Sequence, residues 1–128
     1  MPSPHHRASG DRMHEFTLVQ ALIGRVETEA HARNATAVHR VTVRVGPLAG
    51  LDRDLFANAF LLSRPGTLCH AAELVLTTEE VDWRCDVCNA AIPSGAALVC
   101  PTCLLPARLA GGDAIVLERI ELEVSSHV

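Results

Sequence analysis

Apolar residues at Phe16, Val19, Leu22, Ile23, Val26 and Ala30 recur at intervals of three and four, the spacing of one helical stripe. They predict a helix over about 14–33, ended by Asn34. The period then changes to two: Val41, Val43 and Val45 alternate with Arg40, Thr42 and Arg44, which reads as a half-buried strand broken by Gly46-Pro47-Leu48-Ala49-Gly50. Asp52 is placed to cap a second helix with Leu55, Phe56, Ala59, Phe60 and Leu62 on its apolar face, stopped by Arg64-Pro65-Gly66. A second strand follows over 72–81, with Ala72, Leu74 and Leu76 facing opposite Glu73, Val75 and Thr77. A third lies over 114–124, with Val116, Ile120, Leu122 and Val124 opposite Arg119, Glu121 and Glu123.

Between the second and third strands the periodicity gives way to cysteines. Cys85-Asp86-Val87-Cys88 and Cys100-Pro101-Thr102-Cys103 are two Cys-x-x-Cys pairs separated by eleven residues. Each pair can turn both sulfurs toward one point, and the intervening chain is long enough to fold the second turn against the first, closing a tetrahedral zinc site of four thiolates. A disulfide framework suits short secreted chains, and a redox Cys-x-x-Cys needs only one pair beside a βαβ pattern; neither fits as well. Such knuckles favour glycine after their second cysteine, where the backbone takes a positive φ, but Asn89 and Leu104 stand there. Asn tolerates that conformation and Leu does so poorly, so the second knuckle is expected to be strained or to turn differently. Cys69 stands apart and reads as a small buried hydrophobe.

The fold class is therefore α/β (α+β): a small three-stranded sheet with two helices, plus an inserted zinc ribbon. The α/β domain takes residues 13–81 and 112–124, and the ribbon takes 82–111. Residues 1–12 hold Pro2, Pro4 and Gly10 without apolar periodicity and read as a disordered tail or a start placed too early.

Charge and composition narrow the partners. The formal charge of −4, with three Phe and one Trp, lacks the basic, aromatic-bearing face of a nucleic-acid binder. No apolar run approaches the roughly 20 residues that span a bilayer, and the amino end lacks the apolar stretch of a signal peptide. The reading is a cytoplasmic protein with no membrane or nucleic-acid partner.

Met13-His14-Glu15, Val43-Arg44-Val45-Gly46-Pro47-Leu48-Ala49-Gly50-Leu51, Pro65-Gly66-Thr67, the four cysteines and Ile120-Glu121-Leu122 together closely resemble the HypA/HybF family of hydrogenase maturation nickel metallochaperones. The resemblance covers roughly residues 13–124 and departs from the family at Cys103-Leu104, where Cys-Gly is usual. It implies a Ni(II) site on Met13, His14 and Glu15 and a separate structural Zn(II) site on Cys85, Cys88, Cys100 and Cys103. It also implies delivery of nickel to a nickel-iron hydrogenase under assembly and no catalysis of its own. The implied partners are the nickel-handling GTPase of that pathway and the hydrogenase large subunit, with urease accessory proteins as an extension. If Met13 is the first residue, its amine, the backbone nitrogen and imidazole of His14, and the backbone or carboxylate of Glu15 can all reach one ion, a donor set suited to square-planar or tetragonal Ni(II).

In a chain beginning at Met1, residue 13 has a peptide nitrogen in place of that amine. Pro2 and Pro4 prevent successive backbone amidates ahead of His5. Two accounts stand: translation begins at Met13, which this reading favours, or the nickel site uses His14 with the imidazole of His5 or His6. His31, His39, His70 and His127 show no ligand spacing and are left unassigned. The alternative function is a zinc-ribbon protein–protein adaptor without nickel. A zinc enzyme ranks last, because four thiolates leave no open metal position.

Overall fold

A computed structural model describes residues 4–93 and 97–125, and of residues 4–13 the backbone alone. Helix α1 runs Pro4–Ala32. It takes in residues 4–12, which composition assigns to a tail; proline at a first helical position sacrifices no bonded N–H, and the His-His-Arg-Ala-Ser run that follows holds no β-branched residue. Residues 1–3 of that tail lie outside the described residues. The buried stripe is Glu15, Val19, Ile23, Val26 and Ala30. Phe16, expected on it, is 38% exposed. The helix closes through Arg33 N–H to Ala30 O and Asn34 N–H to His31 O, with Asn34 at φ 55° as the terminator that its sequence suggests.

Strand β1, Ala35–Val45, begins five residues before the alternation that starts at Arg40. The reason is a slip in the period: His39 and Arg40 are both exposed between buried Val38 and Val41. Those two outward residues meet acidic partners, His39 Nε2 at 3.0 Å from Glu123 and Arg40 bridging Glu73 at 2.7 Å and Glu121 at 3.1 Å. Helix α2, Arg53–Ser63, packs on α1 and buries Phe56, Ala59 and Phe60. Leu62, expected on that face, is 70% exposed. Asp52 caps the helix by accepting from the Leu55 N–H at 3.0 Å.

Strand β2, Glu73–Thr78, and strand β6, Ile115–Val124, flank β1 in a three-stranded sheet of order β2-β1-β6. Partners advance together along β1 and β2, Arg40 with Glu73 and Val45 O with Glu79 N–H, as in a parallel pair joined through α2. Along β6 they run oppositely: Thr36 meets Glu123 and Gly46 meets Ala114. Strands β3 (Asp82–Cys85), β4 (Ala91–Ile92) and β5 (Ala107–Gly111) form a second, antiparallel sheet of order β4-β3-β5. The expected α+β architecture, a three-stranded sheet with two helices and a four-cysteine ribbon, is the one observed.

The chain divides into two compact units. One uses the chain up to Val43, Leu51–Leu76 and the chain from Leu117; the other uses Arg44–Gly50 and Thr77–Val116, reaching beyond the ribbon limits of 82–111. The second unit is tied at its root by backbone contacts. Gly46 N–H donates to Ala114 O and Leu48 N–H to Gly112 O, both at 2.8 Å. A Cβ on Gly46 would lie 2.2 Å from the Gly112 carbonyl, so only glycine permits this approach. Among the described residues no helix is long and apolar enough to cross a membrane.

Candidate metal centres

The two Cys-x-x-Cys turns fold alike. Val87 N–H points at Cys85 Sγ and Cys103 N–H at Cys100 Sγ, each at 3.4 Å. Asn89 N–H bonds Cys85 O at 3.0 Å, and Leu104 N–H bonds Cys100 O at 2.8 Å. Both turns then pass through positive φ, 60° at Asn89 and 59° at Leu104. The second knuckle thus turns as the first does, and Leu104 carries the strain that glycine would avoid. Its side chain is 75% exposed and gains little by burial.

These turns bring Cys85, Cys88, Cys100 and Cys103 together with all four sulfurs within 4.8 Å of one another. Thiolates about 2.3 Å from a tetrahedral zinc stand about 3.8 Å apart, and Cys88 Sγ lies 3.8 Å from Cys100 Sγ. The donor set and spacing therefore fit a structural zinc ion, with Cys85 and Cys100 buried against Ile92 and packed by Trp83 and Ala107. The backbone N–H groups of Cys88 and Val87 pull the Cys85 thiol down to about 6, while hydrogen bonding to Cys85, then to Cys88, drives Cys103 up to about 12. A cluster that favours one thiolate so strongly while crowding the remaining protons suits a cation that displaces them. Cys69 lies outside this cluster and is buried; desolvation, then Glu27, raises its thiol to about 11. That suits an inert core residue.

The Met13-His14-Glu15 motif rides on α1. The Met13 side chain, like those of His5 and His6, lies outside the described ones. His14 is exposed. Glu15 is 1% exposed, its Oε2 accepts the Asp52 N–H at 2.8 Å, and its Oε1 has no partner among the described residues. The carboxylate thereby joins α1 to the cap of α2, where the partial positive charge of the helix start favours an anion. The sequence carries a signal for this burial that a stripe of apolar residues alone omits: Glu15 lies four residues before Val19 on the same stripe. Among the described residues the four cysteines are the only group of three or more His, Cys, Asp or Glu side chains close enough to share an ion. The structure does not bring the side chains of His14 and Glu15 into such a group.

Residues 13–122 match the family described as hydrogenase/urease nickel incorporation, metallochaperone, hypA. The hydrogenase maturation factor HypA of Aquifex aeolicus is 33% identical over 114 residues, covering 88% of this chain and 99% of that protein. The HypA of Wolinella succinogenes is 32% identical over 118 residues, covering 90% and 99%. The solution structure of the Ni metallochaperone HypA from Helicobacter pylori superposes with a TM-score of 0.69 at 28% identity, covering 87% of this chain and 98% of that one. A second HypA solution structure reaches 0.77 at 28% identity, covering 88% and 98%.

Proposed function

Because the chain belongs to the HypA family of hydrogenase/urease nickel-incorporation metallochaperones, we propose that it carries Ni(II) on its Met13-His14-Glu15 segment. In this reading it surrenders the ion to a nickel-iron hydrogenase during maturation, and Cys85, Cys88, Cys100 and Cys103 hold a structural Zn(II). The observation that carries the proposal is where the family match begins: at Met13, the first residue of the motif. The partners on this reading are the pathway's nickel-handling GTPase and the hydrogenase large subunit in the cytoplasm, with urease accessory proteins as a further recipient system.

The surroundings of residues 14 and 15 support a division of labour. His14 is exposed and its imidazole is accessible to an ion. The Glu15 carboxylate is spoken for by Asp52, which favours the backbone nitrogen over the side chain as the donor from that position. In the full chain α1 runs through these residues and commits their N–H groups to carbonyls four positions earlier, whereas a form beginning at Met13 has no such carbonyls, so its amine, backbone nitrogens and imidazole together suit a square-planar ion. Nitrogen donors compete with protons, so the ion is held less tightly as pH falls. The cysteine cluster has no open position and contributes by fixing the ribbon.

The test is Ni(II) titration by calorimetry with zinc counted in parallel. His14→Ala abolishes nickel binding and leaves zinc content unchanged on this reading. Nickel binding that survives His14→Ala but disappears with Cys88→Ala would sink it. A form beginning at Met13 gives a diamagnetic, square-planar-like Ni(II) spectrum, and the longer chain a weaker or higher-coordinate one. Identical behaviour of the two would refute the amine donor and leave a site centred on His14.

A further inference from the structure

A cleft in the second unit holds none of the residues assigned as ligands in either metal centre. It encloses about 650 Å³ between the 46–48 loop, the segment leading into β3, and β4. Its apolar lining includes Trp83, Ile92 and Pro47, and its charged lining is Glu79, Glu80 and Asp82, with no Lys, Arg or His among the lining residues. Arg44 approaches Glu79 at 3.9 Å and Arg84 approaches Asp82 at 3.2 Å from outside the cleft, so two of the carboxylates are partly compensated. Glu80 is exposed and the most available of the three.

The walls are held from beneath by backbone. Glu79 N–H donates to Val45 O at 3.1 Å, and a Cβ on Gly112 would come within 2.8 Å of the Val81 Cα. On the other side Trp83 is paired in register with Ile92. A trough with an indole wall, a fixed floor and an excess of carboxylates matches one kind of occupant chemically. The flat π face and the carboxylates both attract a guanidinium or ammonium, while the apolar lining receives the methylene stem behind it.

We propose that this cleft is a docking site for an Arg- or Lys-bearing segment of a partner protein, with the cationic side chain against Trp83 and its charge facing Glu79, Glu80 and Asp82. Nickel is not needed for this contact. The occupant is a peptide segment and not a free divalent ion, because among the described residues these carboxylates do not converge closely enough to share one.

Trp83 is the single tryptophan of the chain, so its emission reports on the cleft directly. The experiment titrates zinc-loaded full-length protein with fluorescein-(Gly-Arg)3-amide and fluorescein-(Gly-Glu)3-amide, the dye on the amino end, reading peptide anisotropy and, with the unlabelled acetylated peptides, tryptophan emission. The arginine peptide binds and shifts Trp83 emission, its affinity falls as salt is raised, and the glutamate peptide does not bind. Glu80→Gln and Glu79→Gln each weaken the arginine peptide about threefold to tenfold, with circular dichroism and zinc content unchanged. Trp83→Phe weakens it by a similar factor; if that variant misfolds, Glu80→Gln decides the matter, since Glu80 is exposed. Unchanged affinity in Glu80→Gln, equal binding of the glutamate peptide, arginine-peptide binding without a change in Trp83 emission, or displacement of the peptide by Mg(II) at equal ionic strength would each overturn the proposal.

Discussion

Replacing Glu15 separates its two possible services, holding the fold and holding nickel. In the wild type Oε2 takes the Asp52 N–H at 2.8 Å in a site 1% exposed. Glu15→Ala leaves that N–H without its acceptor and removes an anion from the start of α2. Losing a hydrogen bond to a charged group costs about 1.5–3 kcal/mol, and losing the helix-end interaction adds about 0.3–1 kcal/mol. Burying a carboxylate is itself unfavourable, and Oε1 has no partner among the described residues, so the variant recovers part of that loss. The expected net destabilisation is near the lower end, about 2 kcal/mol. Glu15→Gln keeps an acceptor for Asp52 and loses about 1 kcal/mol. Urea denaturation of zinc-loaded protein resolves the two, since about 2 kcal/mol moves the midpoint by roughly 1 M for a chain of this size. Nickel affinity follows a different order: with the residue 15 backbone as donor, Glu15→Gln binds nickel as the parent does. An alanine variant as stable as the parent would refute the structural role, and a glutamine variant that folds but loses nickel would return the carboxylate to the metal.

Mutating any one of Cys85, Cys88, Cys100 and Cys103 to Ala lowers zinc to well below one per chain by metal analysis, and acidification releases zinc from the parent because protons reclaim the thiolates; full retention in a Cys88→Ala, Cys100→Ala double variant would contradict this. Leu104→Gly relieves a φ of 59° that costs roughly 1–2 kcal/mol and gives back about 0.5–1 kcal/mol through the freedom of unfolded glycine, for a net rise in thermal midpoint of about 2–5 °C. Gly46→Ala destabilises by about 3 kcal/mol or more because its methyl meets the Gly112 carbonyl at 2.2 Å, whereas Gly24→Ala, with nothing within 4 Å, stabilises α1 by about 0.5–1 kcal/mol in the same thermal scan.

The parts of the fold written in regular periods were legible in the chain. The α1 stripe from Val19, the Asp52 cap, the strand alternation of Val41, Val43 and Val45 and the four cysteines all follow local rules and reappear in place. What escaped depends on contacts distant in sequence. The slip at His39-Arg40 hides the first half of β1, because those residues are stabilised by glutamates 33 to 84 positions away. Glu15 falls on the stripe by spacing but is charged, and the Asp52 N–H that receives its buried carboxylate is 37 residues on. Phe16 and Leu62 fit a helical stripe within the tolerance of a three-four pattern and fall just outside the buried arc. At the knuckles, glycine preference foretold the backbone conformation correctly while leaving open whether leucine would obey it; the four sulfurs and the Leu104–Cys100 hydrogen bond place it there.

The path of the chain through its two sheets sets an order of events during synthesis. All three strands of the ribbon and all four cysteines are made by Gly111. Strand β6, which completes the other sheet by pairing with β1, follows only at Ile115–Val124, with Glu123 bonding back to Thr36 across 87 positions. Local pairing closes faster than pairing over so long a loop, and the ribosome releases the chain in the same sequence. With the four cysteines read as zinc ligands, as proposed, a nascent chain is able to capture the ion while the α/β sheet still lacks an edge. Metal supply at that moment then bears on the fate of the ribbon, and the ten residues of β6 bear on the completion of the other sheet.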